Sequence, residues 1–313
     1  MHNIQVAFFT ESGTSRGMGH LIRSYTICEK FKFLNIKTTF FLDSDINYGD
    51  KFTDINYFKW NNFHLMQKYD IIFIDSYEAD MDIYESIANN CKVAVYIDDF
   101  SRLKYPKGVI LNFAPDAKEF FFKETMEKYT YLLGLKYIPI RNNFLKIKKI
   151  KKEQIFIMLG GNDVTNLSEK LVEVLKDVQI NKVVVSNNKL VSEKLRKYND
   201  VEVLYQPSDS LLIQTMANSK MAISTASMVV YELAYLKVPT VVLAVSKNQE
   251  QGIVQLIKNK IVSDYISIKK DSLEEDMGYK IKTLLQQKNY EINNKIDGLG
   301  TQHIVDKVME LIK

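Results

Sequence analysis

The chain has 313 residues, of which 46% are hydrophobic and 26% are charged, and its net charge is +4. This length and composition predict about two ordinary globular domains, each able to bury a core. The lysines are scattered instead of forming one stripe with aromatic residues, so we expect no nucleic acid partner.

Targeting and membrane signals are also absent from the sequence pattern. No charged segment precedes an apolar core at the N-terminus, and no apolar run approaches the roughly 18 residues of a membrane span. Cys28 and Cys91 stand in apolar contexts at no metal-binding spacing, so we interpret both as buried thiols. We therefore expect a cytoplasmic protein without stable membrane association.

The first half of the chain alternates short apolar runs with helical segments. The runs are unbroken and rich in Val, Ile and Phe, which is typical of strands covered on both faces. They cover residues 4–9, 38–42, 71–74, 93–97 and 109–111. This alternation predicts a parallel α/β sheet.

A glycine-containing loop, Gly17-Met18-Gly19-His20, follows the first predicted strand, and Arg23 lies one helical turn further on. A strand, such a loop and a helix N-terminus can direct backbone N–H groups at an anion. The loop does not fit the dinucleotide fingerprint G-x-G-x-x-G, because Ile22 replaces the third glycine. His20 is either a reactive group at the rim of this loop or a histidine that caps or packs.

Polar residues follow the next predicted strands directly: Asp43, Asp75-Ser76-Tyr77 and Asp98-Asp99. Ligands of parallel sheets bind beyond the carboxyl ends of the strands, so these residues would share an edge with His20. Each carboxylate can instead cap a helix or satisfy a loop N–H. Asp98 and Asp99 would point in opposite directions on an extended chain, so we predict no metal. Tyr77 can donate to a sugar oxygen or simply lie half-buried at a domain edge.

The composition changes at the middle of the chain. Residues 146–152 are dominated by lysine and have no strong apolar period, as in an exposed linker. A nucleic-acid patch is the alternative interpretation. We predict an N-terminal domain over 1–145, a basic linker over 146–153 and a C-terminal domain over 154–300.

The second half repeats the pattern of the first. The predicted strand 155–159 leads into Gly160-Gly161-Asn162-Asp163, a second loop before a helical segment. That loop can receive a phosphate through its backbone, or it can be a plain tight turn. Further strands are predicted over 183–185, 221–223 and 240–244.

A third polar constellation, residues 224–232, follows the predicted strand 221–223. Its small residues would let backbone amides approach a diphosphate, and Glu232 could accept hydrogen bonds from both hydroxyls of a ribose. Ser227 and Glu232 alone would also fit a capped helix that bears a solvated acid. A polar loop is predicted at residues 247–250, after the strand 240–244.

Seven motifs in order carry a resemblance to a known family. They are G-M-G-H-L-I-R, F-I-D-S-Y, Y-I-D-D, L-L-G-L-K-Y-I-P-I-R-N-N-F, M-L-G-G-N-D, S-T-A-S-M-V-V-Y-E-L and S-K-N-Q-E. Together they resemble the UDP-2,4-diacetamido-2,4,6-trideoxy-β-L-altropyranose hydrolases of pseudaminic acid biosynthesis, within the spore-coat-polysaccharide and glycosyltransferase-B superfamily. Two motifs depart from that family, which usually has Asp-His-Tyr at Asp75-Ser76-Tyr77 and G-G-T-D at residues 160–163.

The resemblance implies two Rossmann-like parallel-sheet domains facing a cleft that binds the nucleotide, with a C-terminal helix in 301–313 returning to the first domain. It implies that His20 is the general base and that Tyr77 lies near the reacting sugar. The implied substrate-binding positions are Gly17, Gly19, Arg23, Gly160, Gly161, Asn162, Ser227, Met228, Glu232, Asn248 and Gln249.

The implied reaction is inverting hydrolysis of the UDP-sugar, which releases UDP and a free sugar for pseudaminic acid synthesis and flagellin glycosylation. We expect a monomer that needs no cofactor and no metal. An inverting UDP-sugar glycosyltransferase is the alternative, because the same histidine could deprotonate an acceptor hydroxyl. A nucleotide-sugar sensor is a third, non-enzymatic possibility, which would bind without turnover.

Overall fold

The structure is a computed structural model that describes residues 4–49, 52–121, 128–148, 153–160, 167–245, 247–268, 273–287, 290–292 and 295–312. The chain divides into two compact units, one made of Met1–Ile140 with Asp297–Lys313 and the other of Arg141–Ile296. Residues 149–152 of the predicted linker lie outside the described residues.

The first unit contains, among its described residues, a seven-stranded parallel sheet in the order β3-β2-β1-β4-β5-β6-β7. Its strands are β1 (Gln5–Glu11), β2 (Lys37–Asp43), β3 (Ile55–Phe58), β4 (Tyr69–Asp75), β5 (Cys91–Ile97), β6 (Gly108–Asn112) and β7 (Tyr129–Leu133). Between its strands lie the helices α1 (Gly19–Phe33), α2 (Met81–Asn89) and α3 (Ala117–Phe121). The strand order reverses between β1 and β4, which makes their carboxyl ends the expected ligand-binding edge.

An aromatic stack fixes the centre of this sheet. Phe8 of β1 lies 4.6 Å, ring centroid to centroid, from Phe73 of β4 and 6.0 Å from Phe40 of β2. Phe31 of α1 meets Phe8 edge-on at 6.0 Å. All four side chains are buried, so the packing holds α1 over the point where the strand order reverses.

The second unit repeats the design with six parallel strands among its described residues, in the order β10-β9-β8-β11-β12-β13. They are β8 (Gln154–Met158), β9 (Asn181–Ser186), β10 (Val201–Tyr205), β11 (Met221–Thr225), β12 (Thr240–Ala244) and β13 (Asp264–Ser267). The helices are α4 (Asn142–Leu145), α5 (Leu167–Val174), α6 (Lys189–Leu195), α7 (Asp209–Ala217), α8 (Val229–Tyr235), α9 (Lys247–Lys258) and α10 (Leu273–Gln286). The prediction of two parallel α/β sheets is confirmed.

The predicted loop at residues 247–250 is wrong, because these residues form the first turn of α9. Ile253 and Leu256 of this helix are buried, one turn apart. Their burial holds the helix against the sheet, and this tertiary packing overrides the polar character of its first turn.

Cys91 also differs from the prediction, since it is only partly buried whereas Cys28 is fully buried.

The last helix, α11 (Gly300–Glu310), belongs to the first unit and packs on α1. Its first residue lies directly against backbone. A Cβ added to Gly300 would lie 1.9 Å from the carbonyl oxygen of Ile138, so only glycine fits here.

We expect Gly300→Ala to lower the free energy of unfolding by about 1–3 kcal/mol, because the clashing atom belongs to backbone and cannot rotate away. Gly252→Ala in α9 is the matched control, since a Cβ there meets nothing within 4 Å. The control should be neutral or stabilising by about 0.5–1 kcal/mol. Urea unfolding measures both, and equal stabilities of the two variants would contradict the close approach.

Candidate functional site

A closed loop leads from β1 into α1. Gly13 and Gly17 pair through two backbone hydrogen bonds, of 3.2 and 2.8 Å. Gly17 has a φ of 71°, a left-handed conformation that favours glycine, and its carbonyl accepts a 2.7 Å hydrogen bond from the Ser12 hydroxyl. Helix α1 then begins at Gly19, with no side-chain cap on its first turn among the described residues. Its first amides therefore remain available to a ligand or water.

His20, on the first turn of α1, contacts the last residue of β4. Its Nδ1 lies 2.8 Å from Oδ1 of Asp75, and both side chains are buried. The two atoms are in contact but do not form an aligned hydrogen bond, and the pair is ionic when His20 is protonated. The pair joins the glycine loop to the carboxyl end of the neighbouring strand.

Arg23, one turn further along α1, holds the same carboxylate. Its Nε donates to Asp75 Oδ2 at 2.7 Å and its Nη2 donates to Oδ1 at 2.6 Å. Nη1 donates to both carboxylate oxygens of Asp99 at 2.9 Å. The Ser24 hydroxyl adds a 3.0 Å hydrogen bond to Asp75. The Arg23 guanidinium is thus buried between two carboxylates.

These contacts set the protonation of the pair. Burial acts to raise the pKa of Asp75, but the nearby Arg23 and His20 outweigh it and hold that pKa well below its usual range. Burial acts to lower the pKa of His20, but the attraction of Asp75 outweighs both burial and Arg23, so the His20 pKa lies above 6.5. Asp75 is therefore an anion beside an imidazole with enhanced basicity.

Tyr77 stands beside this pair with its hydroxyl proton already engaged. Its Oη donates to Asp99 Oδ2 at 2.6 Å, and its ring meets His20 edge-on with centroids 4.5 Å apart. Burial and the adjacent Asp99 carboxylate raise the Tyr77 pKa far above its usual value. The side chain is 45% exposed. Because its one hydroxyl proton goes to Asp99, the Tyr77 oxygen keeps lone pairs that can accept a hydrogen bond, and the contact of Tyr77 with a sugar stays a prediction.

Ser76 is buried, and its hydroxyl is fully engaged in hydrogen bonds within the protein. Its hydroxyl donates to Glu11, the last residue of β1, and accepts hydrogen bonds of 2.9 Å from the amides of Glu78 and Ala79. Glu11 also accepts a 2.9 Å hydrogen bond from the Tyr77 amide. The departure from Asp-His-Tyr thus falls on a side chain that supports the turn carrying Tyr77.

The other carboxylates at this edge support loops, as their alternative interpretation predicts. Asp43 accepts hydrogen bonds of 2.9 Å from the Trp60 amide and from Lys59 Nζ. Asp98 accepts two hydrogen bonds of 2.9 Å from backbone amides of the loop that follows it. Asp99 instead accepts hydrogen bonds from the side chains of Arg23 and Tyr77. The described residues contain no cluster of His, Cys, Asp and Glu suited to a metal ion.

In the second unit, the predicted phosphate loop and the third constellation lie at adjacent strand ends. Gly160 follows β8 with a φ of 91°, and a Cβ on it would lie 3.8 Å from Thr225 Oγ1 at the end of β11. Gly161 and Asn162 lie outside the described residues. Ser227 is exposed and Met228 is the N-cap residue of α8.

The residues of the predicted polar loop, 247–250, form the start of α9. The side chain of Asn248 lies outside the described residues. Gln249 Oε1 accepts a 3.1 Å hydrogen bond from the Val245 amide, so its carbonyl closes the turn between β12 and α9.

Glu232 of α8 is buried and paired with an arginine from the start of the unit. Arg141 Nε donates to Glu232 Oε1 at 2.8 Å, and its Nη2 donates to Oε2 at 3.0 Å. The third guanidinium nitrogen, Nη1, pairs with Asp209.

Sequence reasoning missed the roles of Arg141 and Asp75. An arginine in the P-I-R-N-N motif was the available signal for the first, and an Asp at a strand end was the signal for the second.

No protein-family model matches the chain. An uncharacterized protein of Methanocaldococcus jannaschii is 27% identical over 280 residues, which cover 79% of this chain and 57% of that protein. A Campylobacter jejuni protein named UDP-2,4-diacetamido-2,4,6-trideoxy-beta-L-altropyranose hydrolase is 23% identical over 84% of this chain and 99% of its own length. The predicted resemblance is confirmed.

A Helicobacter pylori protein adds a second relative with that name, joined to pseudaminic acid cytidylyltransferase. It is 25% identical over 74% of this chain, and the match spans 43% of its length. The chain thus spans about half the length of this protein and of the archaeal relative.

Solved structures support the GT-B type of fold. The M. jannaschii UDP-GlcNAc 2-epimerase, solved in complex with UDP-GlcNAc and UDP, has a TM-score of 0.64 and 11% identity, and the match covers 98% of this chain and 100% of that one. A calicheamicin glycosyltransferase has a TM-score of 0.66 and 11% identity, with coverage of 100% and 99%. In the part of the chain that the structure describes, no helix is long and apolar enough to cross a membrane.

The contact between His20 and Asp75 predicts the direction in which the pKa of His20 is shifted. NMR of the His20 ring should give a pKa above 6.5, because the Asp75 anion favours the imidazolium and deprotonation then needs a higher pH. Asp75→Asn should move that pKa below 6.5, since burial and Arg23 both act to lower it. Ser24→Ala, which removes one hydrogen bond from Asp75 but keeps its charge, is the control. A wild-type His20 pKa at or below 6.5 would contradict the contact.

Proposed function

We propose that the protein hydrolyses a UDP-linked 2,4-diacetamido-2,4,6-trideoxy sugar and releases UDP and the free sugar for pseudaminic acid synthesis. The observation that carries the proposal is the buried His20 and Asp75 pair at the carboxyl end of β4, with a raised His20 pKa. Two relatives named as this hydrolase support it, as does the epimerase of similar fold solved with a UDP-sugar.

In the proposed reaction, a water oxygen attacks the anomeric carbon opposite the leaving group. The bond between that carbon and the distal phosphate oxygen of UDP breaks, UDP keeps the electron pair, and the anomeric configuration inverts. His20 accepts the proton that the water loses. Asp75 stabilises the resulting imidazolium, and Arg23 keeps Asp75 ionised and fixed, so Arg23 acts as a positioning residue.

Tyr77 has a role that fits its hydrogen bonding. A water molecule that donates one proton toward His20 has a second proton to place, and Tyr77 Oη beside the imidazole offers a lone pair for it. Such a contact would orient the water oxygen toward the sugar. The same lone pairs would also suit an amide N–H or a hydroxyl of the sugar.

The second unit is proposed to bind the nucleotide. Backbone amides after β8 and β11, at Gly160 and Ser227, would approach the diphosphate, and Glu232 would accept hydrogen bonds from the ribose. The leaving group is already stable as an anion, so positioning and charge stabilisation supply most of the catalysis.

The test is incubation of the purified chain with UDP-2,4-diacetamido-2,4,6-trideoxy-β-L-altropyranose alone, followed by phosphorus NMR. The wild type should release UDP, and His20→Ala should reduce the rate by about 100- to 10,000-fold through loss of the base. His64→Ala is the matched control, because His64 is an exposed histidine that takes no part in the contacts described for His20 and Asp75.

Other outcomes have distinct meanings. Equal rates for the wild type and His20→Ala would remove His20 as the base. Release of UDP only after a sugar acceptor is added would contradict hydrolysis and indicate a glycosyltransferase. Tight binding without turnover under either condition would indicate a sensor.

A further inference from the structure

Arg141 and Glu232 form an ion pair in the second unit, and the proposed reaction assigns no role to the arginine. The arginine meets the carboxylate side-on, with Nε 2.8 Å from Oε1 and Nη2 3.0 Å from Oε2. The side chains are 18% and 5% exposed, so the pair is largely shielded from water. A two-point contact of this kind fixes the rotation of the carboxylate as well as its position.

The guanidinium is itself held from two further sides. Its Nη1 pairs with Asp209, the first residue of α7, and Asn143 Nδ2 donates to the same carboxylate at 2.9 Å. The Phe144 ring lies under the guanidinium, with Arg141 Cζ 4.9 Å from the ring centroid. Residues of α4, α7 and α8 thus converge on Arg141, and the pair is rigid on both sides.

The two-point contact with Arg141 leaves lone pairs on Glu232 that can accept further hydrogen bonds. An ionised carboxylate has about four lone-pair sites and donates nothing. Among the contacts of the described residues, Arg141 uses one site on each oxygen, so each oxygen retains a site. A ligand that fits them carries two neighbouring hydroxyl donors, which is the chemistry of a ribose 2′,3′-diol.

We infer that Arg141 is a positioning residue that makes the second unit select a ribonucleotide over a deoxyribonucleotide. By holding Glu232 in one orientation, it places the remaining lone pairs for the two ribose hydroxyls. The inference rests on the proposed function, because it takes the second unit as the nucleotide-binding unit. Arg141 acts through Glu232 and need not touch the nucleotide.

The discrimination has a physical cause. A buried carboxylate oriented to accept hydrogen bonds from two hydroxyls loses one of them when the ligand lacks a hydroxyl. Such sites therefore bind the deoxyribonucleotide much more weakly than the ribonucleotide. Without Arg141, Glu232 would be a buried charge that lacks its two hydrogen bonds from the guanidinium. It would then turn toward water or another donor. It would then no longer meet both hydroxyls, and the preference for ribose would fall.

The experiment is calorimetric titration of the full chain with UDP and with 2′-deoxy-UDP. The wild type should prefer UDP by about tenfold or more, as expected for the loss of one hydrogen bond to a charged group. Arg141→Gln should reduce this preference to about twofold or less while the affinity for 2′-deoxy-UDP changes little. Glu232→Gln should have the same effect, and the double variant should lose no more than either single variant, because the residues act as one unit.

Arg196→Gln is the matched control, since Arg196 is an exposed arginine at the end of α6, and it should keep the wild-type preference. If Arg141→Gln fails to fold, Arg141→Lys decides the question. Lysine keeps the charge but not the planar fork, so its preference should be intermediate.

An Arg141 variant that folds and keeps the full preference for UDP would overturn the inference and leave the proposed function intact. A wild type that binds UDP and 2′-deoxy-UDP equally would overturn the inference as well. A wild type that binds neither would instead refute the proposed nucleotide substrate.

Discussion

The buried Asp75 carboxylate is the constraint on which the rest of the first unit's site depends. It ends β4, beside β1, where the strand order of the sheet reverses. Arg23 holds both of its oxygens, and His20 and Ser24 contact it from the same helix. Removing one partner of such a pair leaves an uncompensated buried charge, which typically costs about 3–5 kcal/mol. The acid therefore ties the position of α1 to the protonation of His20.

The second unit uses the same physical device at Glu232. A buried acid on α8 is held side-on by Arg141, which lies 91 positions earlier in the chain. Buried ion pairs contribute little net stability, because desolvation offsets much of their attraction. Their value here lies in orientation: each arginine fixes a carboxylate whose geometry matters, toward an imidazole in one unit and toward a proposed ribose in the other.

Local sequence pattern was sufficient to predict the parallel sheets, the glycine loop before α1 and the place of His20 at the start of that helix, because unbroken apolar runs and turn residues act over short distances. It could not decide whether Asp75 caps a helix or pairs, since its partner Arg23 lies 52 positions away. The half-exposed edge strand β3 lacks an apolar run and escaped prediction. The hydrogen bond from the Tyr77 hydroxyl to Asp99 could not be predicted either, because only the fold brings these two residues together.

We propose that His20, made more basic by Asp75, removes the proton from water. The decisive measurement is the pH dependence of kcat/KM for release of UDP, made alongside the NMR titration of His20. Activity should rise with pH along one limb, because the base must be neutral. The apparent pKa of this limb should lie above 6.5 and coincide with that of His20. A flat profile, or a limb whose pKa differs from that of His20, would contradict it.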